Sequence, residues 1–101
     1  MGVPVSTAYR PLVEQTKITT SASSQQSSAF AASTEVIRLG VASSVVTSGA
    51  HYSIGTNPTA TANSPLIPAD WVEFIRVSPG EKVALLQEAG ALVVTITEMG
   101  F

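Results

Sequence analysis

From Thr16 onward, the chain consists of short runs of β-favouring residues separated by Ser, Gly, Pro and Asn. Gly, Pro, Thr and Val recur too often for a long helix, and only Lys82–Ala89 has a composition that a helix tolerates. The runs are Lys17–Ala22, Ser27–Ala32, Glu35–Ala42, Ala50–Gly55, Trp71–Val77, Lys82–Gln87 and Ala91–Met99. With one further strand in the N-terminal region or near Pro65–Pro68, this spacing predicts an all-β fold of about 7–8 strands, a sandwich or a small barrel.

Several of the runs alternate between apolar and polar residues, which is the pattern of a strand with one buried face. Ile37, Leu39 and Val41 share one face of their run. The run Trp71–Val77 differs, because apolar residues occupy both of its faces. We therefore expect one face of this run to lie in the core and the other to form an interface.

Three connecting segments have recognisable turn chemistry. Ser78–Glu81 has proline at its second position and glycine at its third, where a left-handed backbone is needed, and predicts a turn that leads into Lys82–Gln87 as a hairpin partner. His51–Ala62 reads as a strand that ends at a glycine and an Asn-Pro turn, followed by small residues that permit close backbone approach. Ser64–Asp70 places two apolar residues between prolines, which fits a loop that closes one end of the core.

The N-terminal residues differ from the rest of the chain. Residues 1–15 carry two prolines and no sustained apolar period, so we expect an extended arm whose order depends on what it contacts. Tyr9, Leu12 and Val13 are its expected contact points. Residues 16–101 fit one domain, because a chain of 101 residues leaves little room for a second core.

The low charge content favours packing between subunits over a solitary existence. Charged residues make up 12% of the chain, about half the usual share in a soluble domain. Much of the surface must therefore be Ser, Thr, Ala and small apolar residues, which cost little to remove from water. The five basic residues are scattered along the chain, so we expect neither a nucleic-acid footprint nor a polybasic membrane site.

Neither a secretory signal nor a membrane helix is expected. Met1–Val5 lacks a charged region followed by an apolar run. No segment approaches the roughly 18 consecutive apolar residues that a membrane helix needs. We therefore expect a soluble protein that is made in a cytoplasm.

Residues that could support catalysis or metal binding are few and dispersed. The sequence has no cysteine, which excludes disulfides, thiolate metal sites and cysteine nucleophiles. His51 is the only histidine and Asp70 the only aspartate, and no Gly-x-Ser-x-Gly elbow accompanies them. We expect His51 to pair with the backbone at the end of a strand. The sequence predicts no metal, no cofactor and no enzymatic activity.

A series of motifs runs through roughly residues 35–99. They are Ile54-Gly55-Thr56-Asn57-Pro58-Thr59-Ala60, the loop Leu66-Ile67-Pro68-Ala69, the strand Trp71–Val77, the hairpin Pro79-Gly80-Glu81-Lys82-Val83-Ala84 and the strand Val94-Thr95-Ile96-Thr97-Glu98. In this order they resemble small structural proteins of tailed phages that decorate or cement capsids. The resemblance implies a small antiparallel β-sandwich of jelly-roll-like topology.

The same resemblance implies a function and a location. The expected partner is the major capsid protein, with self-association or a symmetric arrangement on the capsid surface of a virion made in the host cytoplasm. The expected interface residues are Tyr9, Arg10, Leu12, Val13, Phe74 and Phe101. Two other interpretations stay open: a head-fibre, tail or neck component, and a small receptor- or carbohydrate-binding module, which would need several exposed aromatic residues.

Overall fold

The computed structural model describes residues 9–12 and 14–100, with residues 1–8, 13 and 101 outside the description. Its strands are β1 (Arg10–Pro11), β2 (Thr16–Thr19), β3 (Gln25–Gln26), β4 (Val36–Val41), β5 (Gly49–Gly55), β6 (Leu66–Pro68), β7 (Trp71–Arg76), β8 (Lys82–Gln87) and β9 (Val93–Gly100). The prediction of an all-β fold is confirmed over these residues. The described ranges contain no helix that is long and apolar enough to span a membrane.

The strands form two antiparallel sheets. In the five-stranded sheet, β9 has β4 on one side and both β1 and β2 on the other, where they lie end to end. Strand β7 pairs with the free side of β4 and is the last strand of this sheet. The four-stranded sheet has the order β3-β8-β5-β6.

The pairings are nested along the chain. Strands β1 and β2 pair with β9, β3 with β8, β4 with β7, and β5 with β6. Most of these pairs join an early strand to a late one. Both sheets therefore depend on contacts between residues that are distant in the sequence.

Inward side chains from both sheets fill one core. Ile37 and Leu39 of β4, Val94 of β9, and Val83 and Leu85 of β8 are fully buried in the same cluster. Burial of an aliphatic side chain of this size contributes about 1.5–3 kcal/mol relative to exposure. One core shared by two sheets is compatible with a β-sandwich.

Most of the predicted strands are present, although their ends differ. Strand β8 has the predicted bounds, and β4, β5, β7 and β9 begin and end within two residues of the predictions. Strand β2 starts one residue earlier and ends three residues earlier than predicted. Both places suggested for an additional strand contain one, because β1 lies in the arm and β6 near Pro65–Pro68.

The predicted strand Ser27–Ala32 is wrong. The only ladder in this region is the two-residue β3 at Gln25–Gln26, just before it. Ser27 and Phe30 each donate one backbone hydrogen bond to the β8 side, to Val83 O and Glu81 O at 2.8 Å. The Ser27 hydroxyl accepts a hydrogen bond from Val83 N of β8 and donates one locally to Ser28 O, and such serine contacts compete with the backbone bonds of a regular ladder.

The predicted turn Ser78–Glu81 is confirmed, but the predicted hairpin is wrong, because β7 pairs with β4 in one sheet while β8 pairs with β3 and β5 in the other. Glu81 N donates to Ser78 O at 3.1 Å, and Gly80 has a φ of 83°. The Glu81 carboxylate also accepts a bond from Ser78 N at 2.7 Å. Both ends of the turn are therefore tied together, which sets the entry into β8.

The described part of the N-terminal arm lies along the edge of β9. Arg10 and Pro11 pair with Gly100 and Met99, and Leu12 N donates to Glu98 O at 2.9 Å. The arm therefore extends the five-stranded sheet in this region. Residues 1–8 and Val13, which the sequence also assigns to the arm, lie outside the described residues.

Candidate partner interface

The candidate interface is the outer face of the five-stranded sheet. In β7, Ile75 and the following Val77 pack towards the core, so Val72, Phe74 and Arg76 face outward. Phe74 is 62% exposed, which is unusual for a phenyl side chain in a strand. The prediction that both faces of this run carry apolar side chains is confirmed, and one of them contributes to the core.

Cross-strand neighbours of β7 build a groove on this face. Arg76 is paired with Val36 of β4, and Val36 in turn with Met99 of β9. These three residues, together with Tyr9 and Phe74, line a groove of about 560 Å³. Two of the predicted interface residues, Tyr9 and Phe74, therefore lie on the same groove although they are far apart in the sequence.

Basic side chains share this outer face with the groove, and one of them, Arg76, lines it. Lys17 of β2, Arg38 of β4 and Arg76 of β7 each alternate with inward apolar residues, so they project from the outer face. Three of the five basic residues of the chain therefore share one face of one sheet. Sequence reasoning missed this grouping, although alternation around each residue already indicated an outward side chain.

The acidic residues of the same sheet point inward. Glu98 of β9 accepts hydrogen bonds from Ala31 N at 2.9 Å and from the Thr34 hydroxyl at 2.6 Å. Glu73 of β7 has the same orientation as Ile75, and the pKa of Tyr52 in the opposite sheet is raised by burial and then by the charge of Glu73. Among the described strand residues, the outer face of this sheet thus has a basic and apolar character in a chain whose formal net charge is −2.

The Tyr52 hydroxyl of β5 lies within electrostatic reach of the Glu73 carboxylate of β7. Burial raises the pKa of Tyr52, and the negative charge of Glu73 raises it further. The phenol therefore remains a neutral donor over a wide pH range. Alternation along β7 places Glu73 on the face opposite Phe74 and therefore away from the groove.

The remaining predicted interface residues occupy different places. Arg10 is exposed in β1. Leu12 is half-buried and rests against Gly100, where an added Cβ would lie 3.1 Å from Leu12 Cδ1. Val13 and Phe101 lie outside the described residues.

The outer face of the four-stranded sheet is covered by the chain itself. After β5, residues 56–65 cross this sheet, and Gln26 of β3 donates to Asn57 Oδ1 at 2.9 Å and to Pro58 O at 2.8 Å. Ala60 N donates to Ser24 Oγ at 2.9 Å. Ala84, which faces outward between β3 and β5, is fully buried. The small residues predicted to allow close backbone approach thus form a cover over this face.

His51 makes the backbone contact that the sequence predicts. Its Nδ1 lies 2.8 Å from Ser64 O. Because a carbonyl oxygen can only accept, the bond requires Nδ1 to carry the proton. Within the described part of the chain, no group of three or more His, Cys, Asp or Glu side chains is placed to hold a metal ion.

Comparisons with known proteins found no matching family model, no similar curated protein and no similar solved structure.

Proposed function

We propose that this chain is a non-enzymatic structural protein of a phage virion, a capsid decoration or cement protein that binds the major capsid protein lattice and stabilises the shell. The observation that carries the proposal is the contrast between two outer faces. One is covered by residues 56–65, while the other presents the Tyr9–Phe74 groove and three basic side chains. A face of this kind is typical of an interaction surface.

The nested pairings support a jelly-roll topology. When β1 and β2 are counted as one interrupted strand, eight strands pair first with last, second with seventh, third with sixth and fourth with fifth. A jelly roll is a hairpin of this kind rolled into two sheets. This topology is the one that the resemblance to phage cement proteins implies.

The proposed mechanism is binding alone. Phe74, Tyr9 and Val36 would lose contact with water against a capsid subunit, and Lys17, Arg38 and Arg76 would face an acidic patch on it. If one copy spans the joint between two subunits, separation of the subunits requires loss of that buried area. Because the protein binds the assembled shell preferentially, it shifts the equilibrium towards assembly.

A head-fibre, tail or neck component would use the same fold with a different symmetry and stays open as the alternative. A carbohydrate- or receptor-binding module is favoured less. Trp71 and Phe74, which are 57% and 62% exposed, lie on opposite faces of β7 and therefore do not form one stacking platform.

The test is co-sedimentation of the full chain with shells of its phage's major capsid protein at low and at high salt. We expect saturable binding at a fixed ratio to capsid subunits. Lys17→Glu should weaken binding about tenfold at low salt, and by less at high salt because exposed charges are screened. Lys82→Glu is the matched control, since Lys82 faces outward from the other sheet.

Two results would overturn the proposal. If the folded full chain does not bind shells, the tail, neck and receptor-binding alternatives become stronger. If the chain binds but both charge reversals weaken binding equally, the assignment to the outer face of the five-stranded sheet is wrong.

A further inference from the structure

Among residues 9–12 and 14–100, β7 is the outermost strand on one side of the five-stranded sheet, and the backbone groups on its open side can be identified. Val77 N donates to Glu35 O at 3.0 Å, and in an antiparallel ladder the bonds to a given neighbour involve every second residue. In β7 the backbone groups of Ile75 and Glu73 therefore also face β4. The N–H and C=O groups of Val72, Phe74 and Arg76 point away from β4, to the open edge.

Polar backbone groups beside exposed apolar side chains favour pairing with another strand. Trp71, Val72 and Phe74 are all exposed along this edge. We propose that β7 pairs antiparallel with β7 of a second copy of this chain, with Phe74 opposite Phe74 at a twofold axis. The two five-stranded sheets then become one continuous sheet with both outer faces on the same side.

The twofold symmetry restricts the possible registers. Opposed residues in an antiparallel pair lie on the same face of the sheet, so outward residues must meet outward residues. With Phe74 on the axis, Val72 meets Arg76 of the second copy and Arg76 meets its Val72. Each of these pairs, and the Phe74 pair itself, exchanges two backbone hydrogen bonds through groups that face the open edge.

The two neighbouring registers, centred on Glu73 and on Ile75, are less favourable than the register centred on Phe74. A register centred on Glu73 places two carboxylates directly opposite each other, which is destabilising, and it requires Asp70 N, which already donates to Ala42 O. A register centred on Ile75 requires Ser78 N, which already donates to the Glu81 carboxylate. Only the register centred on Phe74 uses the free groups of all three outward residues.

The side chains in this register are also complementary. The Arg76 guanidinium lies diagonal to Phe74 of the second copy, within reach of a cation–π contact. Glu73 opposes Ile75, so no like charges meet. The edge is therefore self-complementary, which favours a second copy over an unrelated strand as its occupant.

The first experiment is sedimentation velocity of the purified full chain, from micromolar to near-millimolar concentration and without capsid protein. We expect a concentration-dependent dimer. Phe74→Arg places two like charges opposite each other and should leave a folded monomer. Val45→Arg is the matched control, because Val45 is fully exposed in the β4–β5 loop and away from β7, and it should leave the dimer unchanged.

The second experiment measures the register by oxidative cross-linking of single-cysteine variants, which is unambiguous because the chain has no cysteine. Phe74→Cys should link to itself. Val72→Cys and Arg76→Cys should not link to themselves but should link to each other in a mixture. Self-linking at position 72 or 76, or a monomer at all concentrations, would overturn the proposal. Both experiments use the isolated chain, so their outcome is independent of capsid binding.

Discussion

Thr20 and Leu92 are joined by reciprocal hydrogen bonds in the interior. Thr20 N donates to Leu92 O at 2.8 Å, and Leu92 N donates to the Thr20 hydroxyl at 3.0 Å. Thr20 is only 1% exposed. These bonds continue the pairing of β2 with β9 beyond Thr19 and Val93, with a side-chain oxygen in place of a backbone oxygen.

Removal of this hydroxyl should destabilise the fold without changing its shape. Thr20→Val keeps the branched side chain but leaves the buried Leu92 N–H without an acceptor, which costs about 1–3 kcal/mol. Urea unfolding should show this loss. Hydrogen exchange of the Leu92 amide should become faster than that of its neighbours.

Thr20→Ser is the matched control, because it keeps the acceptor and loses a methyl group, at a cost of about 0.8 kcal/mol. The Leu92 amide should stay protected in this variant. Equal exchange rates in the two variants would show that the hydroxyl does not hold this end of the ladder.

Gly49, at the start of β5, is packed directly against β6. A Cβ added there would lie 2.0 Å from Ile67 O, and φ is 155°. Gly49→Ala therefore requires the β6 backbone to move. We expect the free energy of unfolding to fall by an amount at or above the upper end of the usual range for point mutations, about 0.5–3 kcal/mol. Thermal or urea unfolding measures it.

Gly80 provides the comparison for Gly49. It has a φ of 83° but open space where a Cβ would stand. Gly80→Ala should lower the free energy of unfolding only by what alanine loses in a left-handed backbone conformation, about 1–2 kcal/mol. If Gly80→Ala is as damaging as Gly49→Ala, close packing against Ile67 is not what requires glycine at position 49.

The sequence predicts individual strands well but not their lateral arrangement. Alternation in Ile37, Leu39 and Val41 is a local signal, as is the turn before β8, and both agree with the structure. The prediction at Ser27–Ala32 was wrong because this segment consists mostly of small residues and has no alternation of apolar and polar side chains. Without that alternation, a strand cannot be distinguished in the sequence from an irregular segment held by isolated hydrogen bonds.

The same limit applies to the candidate site. The composition of the Trp71–Val77 run indicated an interface, and Tyr9 and Phe74 were both predicted to belong to one. That Lys17, Arg38 and Arg76 share a face requires β2, β4 and β7 to lie in one sheet. This arrangement depends on nested pairing with β9 and β4, for which local periodicity gives no signal.

Glu88, just after β8, is held by the β4–β5 loop. Its Oε1 accepts from the Ser48 hydroxyl at 2.7 Å and from Ser48 N at 3.2 Å, with the Thr47 hydroxyl at 3.5 Å. The bond from the Ser48 side chain lowers the pKa of Glu88 most, followed by the bond from the Ser48 backbone. The charged carboxylate is thus the form that the fold prefers.

This preference makes stability depend on pH with a defined sign. The pKa of Glu88 is lowered in the folded protein from an ordinary value of 4.5, so its contribution is fully present above that value. The contribution is lost as the pH falls through the folded-state pKa, where the carboxylate takes up a proton. The protein should therefore become less stable in acid partly through this one group.

Ser48→Ala tests the cause, because it removes the hydroxyl and keeps the backbone donor. The pKa of Glu88, followed by NMR titration of its carboxyl carbon, should rise towards the ordinary value. The stability difference from the parent chain should be largest near neutral pH and should shrink in acid, where Glu88 is protonated in both proteins. Ser43→Ala, at an exposed serine of the same loop, should change neither quantity. A difference that stays constant with pH would mean that Ser48 acts through packing and not through the charge of Glu88.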